Sequence, residues 1–381
     1  MIHSVSQYTL SVLHLDGMSS ALALRSVYPL CNDAGEPKCR VGNSVIVYEV
    51  MADGVHSALR VYMRPHRNLK AIYGDNYYPN ELLVGSANTA SSLVDVVLCE
   101  WHDGESLQNK IEELCQTPSK ISALSRMFED FAIALLNESW AHGDLKPENI
   151  IVGKDGLHLI DFDAMYRPGF SIDDCVEMGT RQYQHPQRSY TTFDKSIDDY
   201  PIALITTALA ALSLDRAIGK MLPYMDRLLI SPQMAVAGED EMLDHIERIF
   251  AEAGDVRHYR IAKLLRSTTF ALPQLKSLME MKISTTDESD ELSVAYCNGG
   301  WGYTVRGEYV IPPYYDVAFD FSEGLGLVRV ADVWHFIDRS GKAVITCGRG
   351  SGIKPFRNGV TRMKCDDGEI VIYRDGHIEK G

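Results

Sequence analysis

The chain has 381 residues, of which 45% are hydrophobic and 23% are charged, and its formal net charge at pH 7 is −15. This length exceeds what one hydrophobic core usually serves, so the sequence predicts two domains of ordinary globular composition. The negative charge argues against nucleic acid and against an anionic membrane surface as the main partner.

The eight cysteines are scattered and lack the close spacing of a zinc site. In a chain of this length they are predicted to be reduced thiols, which favours a cytoplasmic location. The N-terminus has no cation before Arg25 and no apolar core of a signal peptide. The most apolar stretch, residues 201–214, is shorter than the roughly 20 residues that span a membrane, so we expect a buried helix there.

The N-terminal part of the chain is predicted to be mainly β. Residues 1–40 carry little pattern, and we predict only a short helix near Val5–Leu13. Beyond them, β-branched and aromatic residues occur in short runs, and the first two runs flank Asp53-Gly54, which indicates a hairpin. The predicted strands cover residues 44–50, 57–62, 81–84 and 93–99.

After Trp101 the pattern takes a helical period. Apolar residues recur every three or four positions from Leu124 to Leu136, which predicts a helix with one apolar face. Two apolar runs at residues 150–152 and 157–160 flank a Lys-Asp-Gly turn and predict a hairpin. Residues from 198 to about 282 are predicted to form several helices.

The most informative segment is HGDLKPEN at residues 142–149, followed by DFD at residues 161–163. Asp144 can orient and deprotonate an attacking hydroxyl, and Lys146 can neutralise a moving phosphate. Asn149 and Asp161 can supply oxygen ligands to Mg²⁺. Phosphoryl transfer from a magnesium-bound nucleotide requires these groups in this order.

This segment resembles the catalytic loop and metal-binding motif of protein kinases, and the resemblance extends over about residues 41–285. It implies an α+β, bilobal protein-kinase-like fold with a β-rich N-lobe and hinge at residues 1–102 and a helical C-lobe at residues 103–285. It also implies ATP and Mg²⁺ as cofactors. Asp144 and Lys146 would be catalytic, and Asn149 and Asp161 would hold the metal.

Two positions depart from the common kinase form. Gly143 replaces an Arg that pairs with a phosphorylated activation segment, which implies that this chain does not depend on such phosphorylation. The His-Gly-Asp form also occurs in kinase-fold enzymes that phosphorylate small molecules. Asp163 replaces a Gly, and its role stays open between a structural hydrogen bond and proximity to the metal.

Two further segments of the C-lobe resemble kinase features. Residues 179–186, GTRQYQHP, resemble the end of an activation segment. Asp198 matches the Asp that anchors the backbone of the catalytic loop. An ordinary helix N-cap is the alternative for Asp198, and both roles are compatible.

The N-lobe resembles kinases less closely. Gly42 is the one glycine left where a Gly-rich phosphate loop would run towards Val47. Arg60 occupies the place of the phosphate-binding Lys and can hold phosphate oxygens bidentately, with an exposed strand Arg as the alternative. Its acidic partner is predicted to be Glu81, with Asp75 as the other candidate.

The adenine site is predicted at residues 96–107, which resemble the strand, hinge and helix that cradle the base. Backbone groups of Glu100 and His102 would contact adenine. Cys99 would occupy the gatekeeper position.

The acidic stretch at residues 284–291 is predicted to be a linker. Beyond it, Trp301-Gly302-Tyr303 matches Trp334-His335-Phe336 at a spacing of 33 residues, with a degraded third copy at 369–375. Such repetition predicts small β units that bury their faces on one another. The segment from Trp301 to Leu325 resembles a WG repeat.

The WG resemblance implies a small all-β domain at residues 286–381 that contacts a protein substrate or partner. Its aromatic residues are predicted to be core and turn residues rather than a ligand site. We also expect a chain that ends after Glu291 to keep a folded catalytic unit.

The leading hypothesis is an ATP- and Mg²⁺-dependent Ser/Thr protein kinase that transfers the γ-phosphate to a protein hydroxyl. One alternative is a pseudokinase that binds nucleotide and acts as an interaction protein, which Arg60 and the reduced glycine loop favour. Another is a small-molecule kinase on the same fold.

Overall fold

The computed structural model describes residues 3–21, 24–86, 89–222, 227–281, 290–297 and 299–381. The chain has a mixed α+β structure, with strands towards both ends and helices between them. The helices are α1 (Val5–Leu13), α2 (Leu15–Met18), α3 (Leu69–Tyr73), α4 (Leu107–Leu114), α5 (Pro118–Asn137), α6 (Asp199–Leu214), α7 (Arg216–Met221), α8 (Pro232–Ala237), α9 (Glu241–Ala253), α10 (Val256–Leu264) and α11 (Leu275–Met279).

The strands group into an N-terminal set, a short central set and a C-terminal set. They are β1 (Val27–Pro29), β2 (Cys39–Val41), β3 (Val45–Ala52), β4 (Val55–Tyr62), β5 (Tyr77–Ser86), β6 (Thr89–Glu100), β7 (Glu105–Ser106), β8 (Ile150–Val152), β9 (Leu157–Leu159), β10 (Ser293–Cys297), β11 (Gly300–Val305), β12 (Glu308–Tyr315), β13 (Val317–Ala318), β14 (Gly326–Val330), β15 (Val333–Ile337), β16 (Ala343–Arg349), β17 (Val360–Cys365), β18 (Gly368–Tyr373) and β19 (Ile378–Lys380).

Strands β1 to β6 form the N-terminal sheet, which is antiparallel with the order β1-β3-β4-β6-β5 and with β2 paired to β3. The predicted hairpin is confirmed as β3–β4. Its turn residues Asp53 and Gly54 have φ angles of 48° and 77°, as a tight type I′ turn requires. The predicted strands at 81–84 and 93–99 lie within β5 and β6.

Residues 3–21 cover one face of this sheet. Helix α1, predicted at Val5–Leu13, begins at a capping box between Ser4 and Gln7. Tyr8 and Val12 pack in one core with the strand residues, including Leu59 of β4. Because neighbouring residues of a strand point to opposite faces, Arg60 lies on the other face of the sheet.

The helical region, α4 to α11, packs around α5 and α6. The apolar period from Leu124 to Leu136 lies within α5, so that predicted helix is confirmed. By length and composition residues 195–214 are apolar enough to cross a membrane, but 83% of that apolar window is buried inside the structure. The predicted buried helix at 201–214 is therefore a core helix.

The short sheet β7-β8-β9 carries the predicted hairpin at residues 150–160. Asn149 directly precedes β8, and Asp161 follows β9 by two residues. The Ile160 amide donates to the Asn149 carbonyl oxygen at 3.0 Å. The hairpin thereby holds the two motif segments side by side.

The C-terminal repeat region, β10 to β19, forms antiparallel sheets in the orders β10-β11-β12, β13-β14-β15-β16 and β17-β18-β19. The matching tryptophans occupy equivalent central strands, Trp301 on β11 and Trp334 on β15, and the third predicted copy falls largely on β18. Most of the predicted linker lies outside the described residues, because its residues 284–289 are not among them.

The C-terminal repeat region shares a hydrophobic core with α9 and α10. Ala251 and Val256 belong to the same buried cluster as Tyr303 and Val330. The buried His335 ring contacts the Ala251 carbonyl oxygen at 2.7 Å through Nε2. Arg260 donates to the Asp316 carboxylate at 2.8 Å. The repeats and these helices therefore bury one another's apolar surface.

Candidate active site

The loop at residues 141–149, between α5 and β8, is shaped by its glycine. Gly143 has a φ of 81°, a left-handed value that residues with a side chain rarely adopt. A Cβ atom at this position would overlap the Ala164 carbonyl oxygen. Local geometry therefore explains why a glycine occupies position 143.

The backbone of this loop is anchored by Asp198. Its carboxylate accepts hydrogen bonds from the amides of His142 and Gly143 at 2.5 and 2.9 Å. Asp198 is buried and makes no side-chain cap on α6. The predicted anchor is confirmed; Asp198 also occupies the N-cap position of α6, but its side chain bonds the loop rather than the helix.

Asp144 lies at the centre of a hydrogen-bonded group. Its carboxylate accepts from the Thr180 amide at 2.5 Å and from the Asn149 side-chain amide at 3.2 Å. The Lys146 ammonium lies 3.0 Å from the same carboxylate and donates to the Thr180 hydroxyl at 2.8 Å. The predicted pair Asp144 and Lys146 is thus brought together, and Thr180 holds both.

The candidate metal ligands flank this group. Asp161 has φ and ψ angles of 69° and 62°, a left-handed conformation that turns the chain sharply after β9. Burial alone would raise the pKa of Asp161, but the Arg60 guanidinium outweighs it and the pKa lies below its ordinary value.

The donor set fits Mg²⁺ in kind, because an amide oxygen and a carboxylate oxygen are hard ligands. Mg²⁺ commonly takes one or two protein ligands and completes its shell with water and phosphate oxygens. In the described part of the chain no group of three or more His, Cys, Asp or Glu side chains is arranged around a metal position. Asn149 and Asp161 would therefore hold Mg²⁺ together with its phosphate ligand.

Arg60 reaches this motif from the N-terminal sheet. Its Nη2 atom donates to Asp161 at 2.6 Å and to Asp163 at 2.7 Å, and its Nε atom donates to the Tyr62 hydroxyl at 3.2 Å. The side chain is buried. The alternative of an exposed strand Arg is wrong.

The prediction that Glu81 or Asp75 is the acidic partner of Arg60 is wrong. The Glu81 carboxylate accepts from the Ser19 hydroxyl at 2.7 Å and from the Ala21 amide at 2.5 Å, so it fastens the N-terminal segment to β5. Asp75 pairs with Lys70 on the surface. Sequence reasoning sought the acid near α3, whereas Asp163 of the DFD segment provides it.

The contacts of Asp163 decide between its two predicted roles, a structural hydrogen bond and proximity to the metal. Its Oδ1 atom accepts from the hydroxyls of Tyr62 at 2.8 Å and Tyr73 at 2.7 Å, while Oδ2 accepts from Arg60. The residue is buried. The structure therefore gives it the structural hydrogen-bond role.

The remaining predicted nucleotide-site residues lie on the N-terminal sheet and in the segment that follows β6. Val47 is the direct strand partner of Arg60 and shares its face of the sheet. Gly42 lies in the turn from β2 to β3, where its amide donates to the Val45 carbonyl oxygen at 2.9 Å. Glu100 ends β6, and the His102 ring stacks on His158 with centroids 4.4 Å apart.

Glu177 is a site residue that sequence reasoning missed, because no spacing pattern marks it. Burial, followed by the charges of Asp163, Asp161 and Asp144, raises its pKa to about 7. These carboxyl groups therefore concentrate negative charge in one part of the site. Such a site favours a phosphate group that arrives with a divalent cation.

One comparison with known protein families is positive. The model of the WG containing repeat matches residues 306–334. This span runs from the turn after β11, through β12 to β14, to Trp334 in β15. It supports the WG resemblance of the C-terminal repeat region. No curated protein matches the chain.

Proposed function

We propose that this chain is an ATP- and Mg²⁺-dependent Ser/Thr protein kinase, with the C-terminal repeat region as its interaction module. One observation carries the proposal: Asp144, Lys146 and Asn149 lie in one hydrogen-bonded group beside the Arg60–Asp161 pair. These are the groups that phosphoryl transfer requires. The N-terminal sheet above a helical region, joined at residues 100–104, supports a bilobal kinase-like fold.

In this proposal ATP binds between the N-terminal sheet and the helical region. Backbone groups near Glu100 and His102 contact the base. Asn149 and Asp161 would hold Mg²⁺, which would supply positive charge to the phosphates. Arg60 supplies its remaining guanidinium nitrogen to a phosphate oxygen.

The acceptor hydroxyl then meets Asp144. The carboxylate accepts the hydroxyl proton and orients the oxygen in line with the γ-phosphorus. Lys146 neutralises charge on the transferring group. Thr180, which bonds both side chains, fixes their relative position in the manner of a supporting residue.

The test is transfer of labelled γ-phosphate to generic protein substrates and to the chain itself. Wild type should label protein, and Asp144→Ala should not. Asp367→Ala, in the exposed turn between β17 and β18, is the matched control and should transfer normally. Absence of label from wild type, with nucleotide still bound, would overturn the enzyme proposal.

A nucleotide-binding pseudokinase is the second candidate. The observation in its favour is that Arg60 forms a salt bridge with the carboxylate of Asp161, the candidate metal ligand. In a pseudokinase this pair would persist with nucleotide bound. Labelling of a small molecule without labelling of protein would instead indicate the small-molecule kinase.

The repeat region is proposed to contact the protein substrate or a partner. Tyr296 is 60% exposed, and its ring is tilted against that of Trp301, with ring centroids 5.0 Å apart. Exposed aromatic side chains are frequent anchors of protein interfaces. Tyr296→Ala should weaken transfer to a protein substrate and leave self-labelling unchanged, whereas equal loss of both would contradict this role.

A further inference from the structure

The two acids that bind Arg60 differ in their access to solvent. The Asp161 side chain is 40% exposed, whereas the Asp163 side chain is 7% exposed. Asp161 can therefore exchange Arg60 for a ligand that arrives from solvent. Asp163 has no such freedom, because a buried carboxylate is stable only while it is paired and hydrogen-bonded.

The hydrogen bonds of Asp163 point to the same division of roles. Two tyrosine hydroxyls saturate its Oδ1 atom, and Arg60 occupies Oδ2. One of these tyrosines, Tyr73, lies at the end of α3, the short helix between β4 and β5. Helix α3 thus contributes a phenol that orients the acid, instead of an acid of its own.

The guanidinium is left with one nitrogen for a ligand. Nε bonds Tyr62 and Nη2 bonds the two acids, so Nη1 has no hydrogen-bond partner among the described residues. Because Arg is a rigid planar fork, fixing two of its nitrogens also fixes the direction of the third. Arg60 is therefore pre-oriented.

We propose that Asp163 is the positioning residue of Arg60: it holds the guanidinium ready for a nucleotide phosphate, while Asp161 is released to Mg²⁺. This inference rests on the proposed nucleotide binding. It places the counter-ion of the phosphate-binding cation on the DFD segment rather than on the helix that follows β4.

The pair also joins two parts of the molecule. Arg60, Tyr62 and Tyr73 belong to the N-terminal sheet and its α3, whereas Asp163 follows β9. Two neighbouring contacts cross the same boundary: the His66 ring lies 3.0 Å from the Asp163 carbonyl oxygen, and Asn68 donates to the Asp174 carbonyl oxygen at 2.6 Å. Fixed contacts between these two parts, rather than movement of a separate helix, therefore determine the position of the Arg60 guanidinium.

The experiment measures AMP-PNP binding by calorimetry, with the full chain and a series of Mg²⁺ concentrations. Asp163→Asn should weaken binding by about tenfold, the order expected for one charge-assisted hydrogen bond. It should also raise the Mg²⁺ concentration at half-maximal binding, because Arg60 is then left with Asp161 as its acid. A merely structural role would not move that Mg²⁺ midpoint.

Two further variants decide the interpretation. Combining Asp163→Asn with Arg60→Gln should give no weaker binding than Arg60→Gln alone, because the pair acts as one unit. Asp173→Asn, an exposed acid of the same segment, should bind as wild type does. If Asp163→Asn does not fold, Tyr73→Phe takes its place, since it removes one hydrogen bond to Asp163 and keeps the ring; it should raise the Mg²⁺ midpoint by a smaller amount.

The outcomes separate the two proposals. Wild-type binding that Asp163→Asn, or Tyr73→Phe in its place, leaves unchanged in affinity and Mg²⁺ midpoint would overturn the positioning role alone. Losses that add fully in the double variant would overturn it too. No AMP-PNP binding by wild type would overturn the proposed function together with this inference. Binding with the expected shifts but without phosphate transfer would support the positioning role and contradict the kinase.

Discussion

The two halves of the candidate site are built in different ways. In the helical region, residues 142–149 and their anchor Asp198 form a rigid backbone unit, fixed by one glycine conformation and two amide hydrogen bonds. On the N-terminal sheet, the site consists of one side chain, Arg60, which is held by two acids more than a hundred positions away in the sequence. The polar side chains of the first half lie within one eight-residue segment, whereas those of the second half come together only in the folded molecule.

The largest effect is expected from removing the C-terminal repeat region, which packs against the helical half. A chain that ends after Glu291 should lose stability, because Val256 and Ala251 would lose the apolar surface of β11 to β15. We expect a loss of about 5 kcal/mol in the free energy of unfolding, measured by urea denaturation. This reverses our expectation from the linker sequence.

The N-terminal sheet serves as the internal control for the truncation. Its core lies with α1, away from the repeats, so its amides should keep their protection from hydrogen exchange in the shortened chain. A shortened chain as stable as the full one would mean that the shared core contributes nothing.

A substitution at Gly143 should destabilise the helical half almost as much as the truncation does. Gly143→Ala places a Cβ against the Ala164 carbonyl and requires a left-handed backbone, which together cost about 4 kcal/mol. Thermal unfolding should report the loss. Gly376→Ala, in an open turn with a φ of 91°, carries the backbone cost without the overlap and should lose less. Equal losses at both positions would contradict the account.

The helical half should also respond to alkaline pH through His258. Burial lowers the pKa of this imidazole, but Asp255 and Glu129 outweigh burial and raise the pKa to about 9. Since the folded pKa exceeds the ordinary 6.5, the stabilisation is complete below pH 6.5 and is lost as the pH rises through about 9. The expected change in unfolding free energy is on the order of 3 kcal/mol.

His258→Gln is the matched variant for the pH dependence. It should be less stable than wild type at pH 6 and should lack the decline between pH 6.5 and 9. A wild-type decline that persists unchanged in His258→Gln would assign the effect to another group.

Loss of Arg60 should act on nucleotide binding rather than on transfer chemistry. Arg60→Ala removes the guanidinium and leaves Asp163 buried without its cation, so nucleotide affinity should fall by about ten- to a hundredfold. Calorimetric titration with AMP-PNP and Mg²⁺ measures it. An unchanged affinity would mean that the phosphates lie elsewhere.

The smallest effect is expected at Glu81. Glu81→Gln weakens the hydrogen bonds to residues 19–21 and should lower stability by about 1 kcal/mol in a denaturant titration. Nucleotide affinity should stay at the wild-type value, because the carboxylate does not contact Arg60. A loss of affinity as large as that of Arg60→Ala would restore Glu81 as its partner.

The same contrast explains what the sequence could predict. Helix α1, the β3–β4 hairpin and the β8–β9 hairpin follow from the local spacing of apolar residues and from turn residues. The residue types of the motif at 142–149 are those that predict phosphoryl transfer. Asp198 was identified by its position twelve residues after Pro186. Each of these features depends on residues near in sequence or on a fixed spacing.

The features that were missed depend on tertiary contacts. Residues 3–21 cover the N-terminal sheet, yet their sequence shows little beyond one helix. The pairing of Arg60 with Asp163 joins segments about a hundred residues apart, and no local rule selects that acid over Glu81. Thr180 and Glu177 reach the site because their segment folds back over the loop at residues 141–149.

The most direct test of the central claim measures affinity and transfer in one sample. Asp144→Asn keeps the shape of the side chain and removes its charge. We predict a nucleotide affinity within about threefold of wild type and a transfer rate lower by at least about a hundredfold, as loss of a catalytic base would produce. A transfer rate that stays at the wild-type value, or that falls only in step with affinity, would contradict phosphoryl transfer at Asp144.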